Sequence, residues 1–209
     1  MGYHKMTLNE GLNLVGPQFV AVGATSADLQ SFIDAELETD NQILFYTGSG
    51  YEIYTYDSEI TFDKDDNELG AGWSDSDGYR AERNVDAAEG FWLRVAGSTP
   101  VTFSGEVSEN SVKVKTNGGL QLVSLPLPVE ISMNDVEFEG LDTGDELLLY
   151  TGSGYEVYTY DAEITFDHDD NELGAGWSDP EGYRAEKKLG INQGFWLRAA
   201  GDEVTISVK

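Results

Sequence analysis

Apolar positions along the chain come in short runs separated by glycine, proline and acidic residues. Leu12, Leu14, Val15, Phe19, Val20 and Val22 make 11–22 a nearly continuous apolar stretch, which predicts a strand. Pro17 inside it has no N–H for a ladder and implies an edge or a bend. From Ser26 to Ala35 a capping residue precedes Leu29, Phe32 and Ile33, which predicts a short helix. The stretches 42–47 and 51–62 are rich in Ile, Tyr, Phe and Thr and flank Gly48-Ser49-Gly50, the signature of a β-hairpin. In the second of these strands Tyr54, Tyr56, Ile60 and Phe62 share one face and Tyr51 and Ile53 the other, so both faces are partly apolar. A second hairpin is expected from 91–95 and 101–103 around Gly97-Ser98-Thr99-Pro100.

The pattern occurs twice. Tyr46-Thr-Gly-Ser-Gly-Tyr51 returns 104 positions later as Tyr150-Thr-Gly-Ser-Gly-Tyr155, and 46–83 differs from 150–187 at six of 38 positions. Gly11-Leu-Asn-Leu-Val15 matches Gly119-Leu-Gln-Leu-Val123, and Gly90-Phe-Trp-Leu-Arg94 matches Gly194-Phe-Trp-Leu-Arg198. The expected organisation is a β-domain over 1–107, a polar linker over 108–113 and a second β-domain over 114–209, each of ordinary domain size. The fold class is all-β: two tandem homologous antiparallel sandwiches or barrels, each with one short helix. In the second copy that helix is expected over 132–141.

The order Gly11-Leu-Asn-Leu-Val-Gly-Pro17, Tyr46-Thr-Gly-Ser-Gly-Tyr51, Glu89-Gly-Phe-Trp-Leu-Arg94, Val101-Thr-Phe-Ser-Gly-Glu-Val107 resembles the tandem β-rich accessory modules of secreted bacterial surface proteins. Such modules open with a Gly-aromatic-Asn-Leu-Ile/Val-Gly-x-Pro strand; here Leu12 stands in the aromatic position. The resemblance implies a surface or adhesive role rather than catalysis.

Charge narrows the partners. With 12 basic and 39 acidic residues the chain of 209 carries −27 at neutral pH, which opposes binding to nucleic acid and to anionic membranes. Twenty of the acids lie in the two 38-residue repeats. No cysteine is present, so thiol chemistry and disulfides are excluded. The first ten residues lack the apolar centre of a secretory signal, and the most apolar run, 120–129, is too short and too often interrupted to span a bilayer.

The strongest chemical candidate is the acidic loop Phe62-Asp-Lys-Asp-Asp-Asn-Glu-Leu-Gly-Ala-Gly-Trp-Ser-Asp75, repeated at 166–179. Asp63-x-Asp65-x-Asn67 spaces oxygen ligands as the start of an EF-hand loop does, and calcium is the ion such oxygens suit. Glu68 stands where that loop needs glycine and Ser74 where it needs glutamate, so Asp75 and Asp77 are expected to complete a different cage. The second set is Asp167, Asp169, Asn171, Asp179 and Glu181. The competing reading is a solvated acidic turn.

Aromatic residues mainly predict core filling. Trp73, in a glycine-rich loop, is the expected exposed exception. With Tyr79, Trp177 and Tyr183 it would form a sugar-stacking platform if the chain were a carbohydrate-binding module. Neither His4 nor His168 has a counterpart in the other copy, and no nucleophile elbow or phosphate-binding fingerprint is present. The expected function is therefore non-enzymatic: a structural or interaction protein, extracellular or at a cell surface, meeting like subunits, another surface protein or a glycan.

Overall fold

A computed structural model describes residues 2–21, 24–107 and 111–208. Residues 108–110 of the expected linker, and Val22 at the end of the expected first strand, lie outside the described residues. The fold is all-β and antiparallel. In the first repeat the strands are β1 (Gly2–Leu8), β2 (Gly11–Val15), β3 (Phe19–Val20), β4 (Ser26–Asp28), β5 (Ile33–Ala35), β6 (Gln42–Tyr46), β7 (Tyr51–Asp57), β8 (Thr61–Phe62), β9 (Glu68–Leu69), β10 (Gly72–Ser74), β11 (Asn84–Asp86), β12 (Phe91–Val95) and β13 (Thr99–Val107). The second repeat continues with β14 (Val112–Lys115), β15 (Leu120–Ser124), β16 (Ile131–Ser132), β17 (Val136–Glu139), β18 (Glu146–Tyr150), β19 (Tyr155–Phe166), β20 (Glu172–Ser178), β21 (Lys188–Leu189), β22 (Gly194–Arg198) and β23 (Glu203–Val208).

Each repeat faces a five-stranded sheet against a smaller one. The order β10-β7-β6-β12-β2 in the first repeat becomes β20-β19-β18-β22-β15 in the second, and β1-β13-β5 becomes β14-β23-β17. Alternation places Ile43, Phe45, Phe91, Leu93 and Val101 inside one sandwich and Leu147, Leu149, Phe195, Leu197 and Val204 inside the other. The expected Gly-Ser-Gly hairpin forms in both repeats, with Tyr46 opposite Tyr51 and Tyr150 opposite Tyr155. The hairpin expected from 91–95 and 101–103 does not form: β12 pairs with β2 and β6 in the larger sheet, and the chain crosses at Gly97 so that β13 pairs with β1, β3 and β5 in the other layer.

Pro17 marks a change of sheet. The ladder of β2 ends at Val15, and Phe19–Val20 then pairs with the end of β13 in the other layer. The helix expected over 26–35 is replaced by two strands: β4 pairs with β11 and β5 with β13. Between them lies one turn, in which Phe32 N–H donates to Asp28 O and Gln30 N–H to Asp28 Oδ1. A ten-residue helix is marginal alone, and two long-range ladders outcompete it. In the second repeat the helical signal survives only as the 3₁₀ turn Met133–Asp135, where Ser132 Oγ accepts from Asn134 N–H before β17 begins. Among the described residues there is no α-helix, and no helix long and apolar enough to cross a membrane.

Candidate functional site

The acidic loops are two hydrogen-bonded turns in series. In the first, Asp63 Oδ1 accepts from the backbone N–H of Asp65 and of Asn67, each at 2.9 Å, and the Asn67 amide donates to both carboxylate oxygens. Asp66 takes φ 60°, which Asp tolerates. In the second, Asp75 Oδ1 accepts from Asp77 N–H and Tyr79 N–H, and Gly78 at φ 88° closes the turn. The other repeat is the same: Asp167 receives Asp169 and Asn171, and Asp179 receives Glu181 and Tyr183. The Asp-x-Asp-x-Asn spacing thus caps a turn, with the first carboxylate bonded to its own loop.

The base of each loop is pinned by an arginine. Arg80 donates to Thr61 Oγ1, Gly70 O and Ala71 O; Arg184 donates to Thr165 Oγ1, Gly174 O and Ala175 O. A neighbouring arginine, Arg83, lies over an aromatic face, its guanidinium 3.5 Å from the centre of the Phe45 ring. Beside each loop is an open cleft, about 610 Å³ in the first repeat with Asp28, Gln30, Asp63, Lys64 and Asp65, and about 570 Å³ in the second with Asn134, Asp135, Asp167, His168 and Asp169. His168 lies over Tyr183, ring centres 4.4 Å apart. Asp75, Asp77, Asp179 and Glu181 do not line these clefts. Among the described residues no three acidic or imidazole groups converge as a metal ion requires.

The Asn67 amide, then the loop N–H groups, hold the Asp63 carboxyl below its ordinary pKa, and Asn171 does the same for Asp167. A depressed folded pKa stabilises the protein above the unfolded value, and this contribution disappears as pH falls through the folded one. Acid melting should therefore show an added loss of stability below about pH 4. The double variant D63N/D167N should lose part of that acid dependence relative to wild type. Parallel Tm–pH curves for the two proteins would remove this role.

Trp73 and Trp177, expected at the surface, are core residues at 2% and 1% exposure. Trp73 meets Tyr56 edge-on, and Trp177 meets Phe138 and Tyr160. Of the expected sugar platform only Tyr79 and Tyr183 keep partial exposure. The glycines around Trp73 do not expose it. They let the strand run close to other groups: a Cβ at Gly72 would lie 2.6 Å from Gln30 Oε1.

The aromatic groups that do gather outside the two cores lie on the outer faces of the five-stranded sheets. Leu14, Trp92, Leu122 and Trp196 form a third buried cluster that joins the repeats, flanked by Leu44, Tyr46, Leu120, Leu148 and Tyr150. Tyr46 meets Trp196 at 4.9 Å between ring centres, and Tyr150 meets Trp92 at 4.9 Å. Tyr51 packs on Tyr46 and Tyr155 on Tyr150, each at 5.6 Å. Trp196 Nε1–H donates to the Tyr155 hydroxyl at 3.2 Å, and Trp92 lies beside the Tyr51 phenol. Tyr46, Trp196, Tyr155, Tyr150, Trp92 and Tyr51 therefore close a ring of six aromatic side chains across a pseudo-twofold axis. Each such pair contributes roughly 0.5–1.5 kcal/mol beyond its buried area. Burial raises the Tyr51 phenol above its ordinary pKa, opposed by the polar Nε1–H group of neighbouring Trp92.

No family model, curated protein or solved structure matches the chain.

Proposed function

We propose that the chain is a non-catalytic structural or interaction protein: two tandem β-domains clamped face to face, working outside the cell or at its surface. The observation that carries this reading is the six-membered aromatic ring between the repeats. It commits the outer apolar face of each five-stranded sheet to association and leaves sheet edges for contact with like copies or another surface protein. At two of these edges, β1 and β14, exposed Lys5 and Lys115 place cations on an otherwise acidic chain, while Lys113 is held by Glu203 at 2.6 Å. Such strands suit docking against the acidic surface of another copy. The resemblance of the Gly11–Pro17 and Gly90–Arg94 segments to secreted surface modules supports the same location.

Calcium enters this reading through the two loops, where the exposed side-chain carboxylates of Asp65, Asp66 and Glu68 (Asp169, Asp170 and Glu172 in the second repeat) have no hydrogen-bond or ion-pair partner among the described residues. Extracellular modules bind calcium with Kd of about 10⁻⁴–10⁻³ M. The test follows Tm and light-scattering mass while calcium is raised to millimolar levels, against sodium chloride of equal ionic strength. Calcium should raise Tm beyond the sodium control by mass action and shift the mass towards multimers. Equal Tm shifts in both salts would reduce calcium to screening, and a monomer in every condition would refute association.

A further inference from the structure

The two halves of the seam are related by symmetry, yet they are not interchangeable. Val15 bridges to Gln193 and its counterpart Val123 bridges to Glu89. Gly16 N–H donates to Asn192 O, and its counterpart Ser124 donates to Ala88 O. Reciprocal contacts of this kind define an isologous interface, here between two parts of one chain. On the axis itself a residue faces its own counterpart, and that pair is Gly16 and Ser124. A Cβ placed at Gly16 would lie 2.1 Å from Ser124 Cβ and 2.2 Å from Ser124 Oγ. Both positions are buried, and the Ser124 hydroxyl has no hydrogen-bond partner. The axis thus has room for one Cβ and no more.

A second asymmetry lies beside it. Asn192, which occupies the place of Ala88, donates through Nδ2 to Gly16 O at 3.0 Å, and its Oδ1 sits 2.8 Å from His4 Nδ1. The counterpart of His4 in the second repeat is Val112, which offers no such partner. Two second repeats facing each other would set serine against serine on the axis and leave Asn192 Oδ1 against valine.

We propose that the seam is a heterotypic lock. The Gly16–Ser124 difference excludes the pairing of two second repeats, whether in one chain or between copies, so that a second repeat can meet only a first repeat across this axis. Where the second repeat of another copy reaches the seam, it docks on a first repeat by exchange. This rests on the reading of the chain as two clamped domains, but its test leaves multimer formation and calcium aside.

The experiment compares four full-length proteins: wild type, G16S, S124G and G16S/S124G. Thermal melting is followed by tryptophan emission, in which Trp92 and Trp196 report the seam and Trp73 and Trp177 the two cores; a red shift below the main melting transition marks opening of the seam alone. Gly16 has no positive φ that would itself disfavour serine, so the effect of G16S is steric. It should lower Tm by several degrees and shift emission to the red as the seam opens. S124G should stay close to wild type. The decisive protein is G16S/S124G, which again places one Cβ on the axis and should recover both the Tm and the emission of wild type. A G16S protein indistinguishable from wild type, or a double variant no better than G16S, would overturn the lock. In the second case G16S acts inside its own sandwich.

Discussion

Trp177→Ala is expected to destabilise the second repeat by about 3–5 kcal/mol, the usual cost of emptying a buried tryptophan site. The ring is 1% exposed and packs edge-on against Phe138 and Tyr160, so its removal leaves a cavity between the sheets. Its Nε1–H has no hydrogen-bond partner. Trp177→Phe should therefore recover much of the loss, because phenylalanine restores apolar volume and removes a buried donor with nothing to bond. Trp73→Ala should behave in the same way in the first repeat. Urea melts read the result. A midpoint for W177A close to that of wild type would show that the ring is exposed in solution and would revive the sugar-binding reading of Trp73 and Trp177.

The second large effect belongs to a side-chain amide that ties the 3₁₀ turn to β20 and to the segment that follows it. Asn134 accepts from Trp177 N–H through Oδ1 and donates through Nδ2 to Trp177 O and Ala185 O. In the first repeat Gln30 makes the same three bonds, to Trp73 N–H, Trp73 O and Ala81 O. Gly176 lets the amide approach, since a Cβ there would lie 2.6 Å from Asn134 Oδ1. Asn134→Ala strands the Trp177 N–H and the Ala185 carbonyl, while Trp177 O keeps its bond from Ala185 N–H; at 1–3 kcal/mol for an unsatisfied buried group the loss should be about 2–4 kcal/mol. Asn134→Asp should cost more than alanine at neutral pH, because a carboxylate then faces two carbonyl oxygens with nothing to donate. It should partly recover as pH falls and the acid protonates, the sign expected for a group whose folded pKa is raised. If Asp and Ala variants have equal Tm from pH 7 down to pH 5, the amide does not hold the strands.

Sequence pairs such as Gln30 and Asn134 are hard to recognise before the fold is known. They lie in stretches of low mutual identity, differ by a methylene and sit on different local backbones, a turn in one repeat and a 3₁₀ turn in the other. Arg83 and Glu89 show the same point. They form a 2.7 Å ion pair in the first repeat, whereas Lys187 turns to Glu156 in the second and Gln193 replaces the second acid. Each substitution is legible alone, but the compensation needs the contacts.

What could be read from the chain alone was local. The strands, the Gly-Ser-Gly hairpins, the duplication and the all-β class follow from period-two alternation and turn chemistry, which act between neighbours in sequence. The apolar character of both faces of 51–62 was visible too, but alternation does not say what covers a face; the fold places Tyr51 at the seam and packs Tyr54 and Tyr56 against the core. Asp63-x-Asp65-x-Asn67 was equally ambiguous, because a carboxylate two residues before an N–H suits a metal cage and a capped turn alike. The helix at 26–35, the exposure of Trp73 and the sheet change at Pro17 depended on which distant strand pairs with each segment. Long-range pairing decides them because a ladder and a buried face outweigh a weak local preference. The seam is the extreme case: one Cβ of space between residues 16 and 124 has no trace in either segment read by itself.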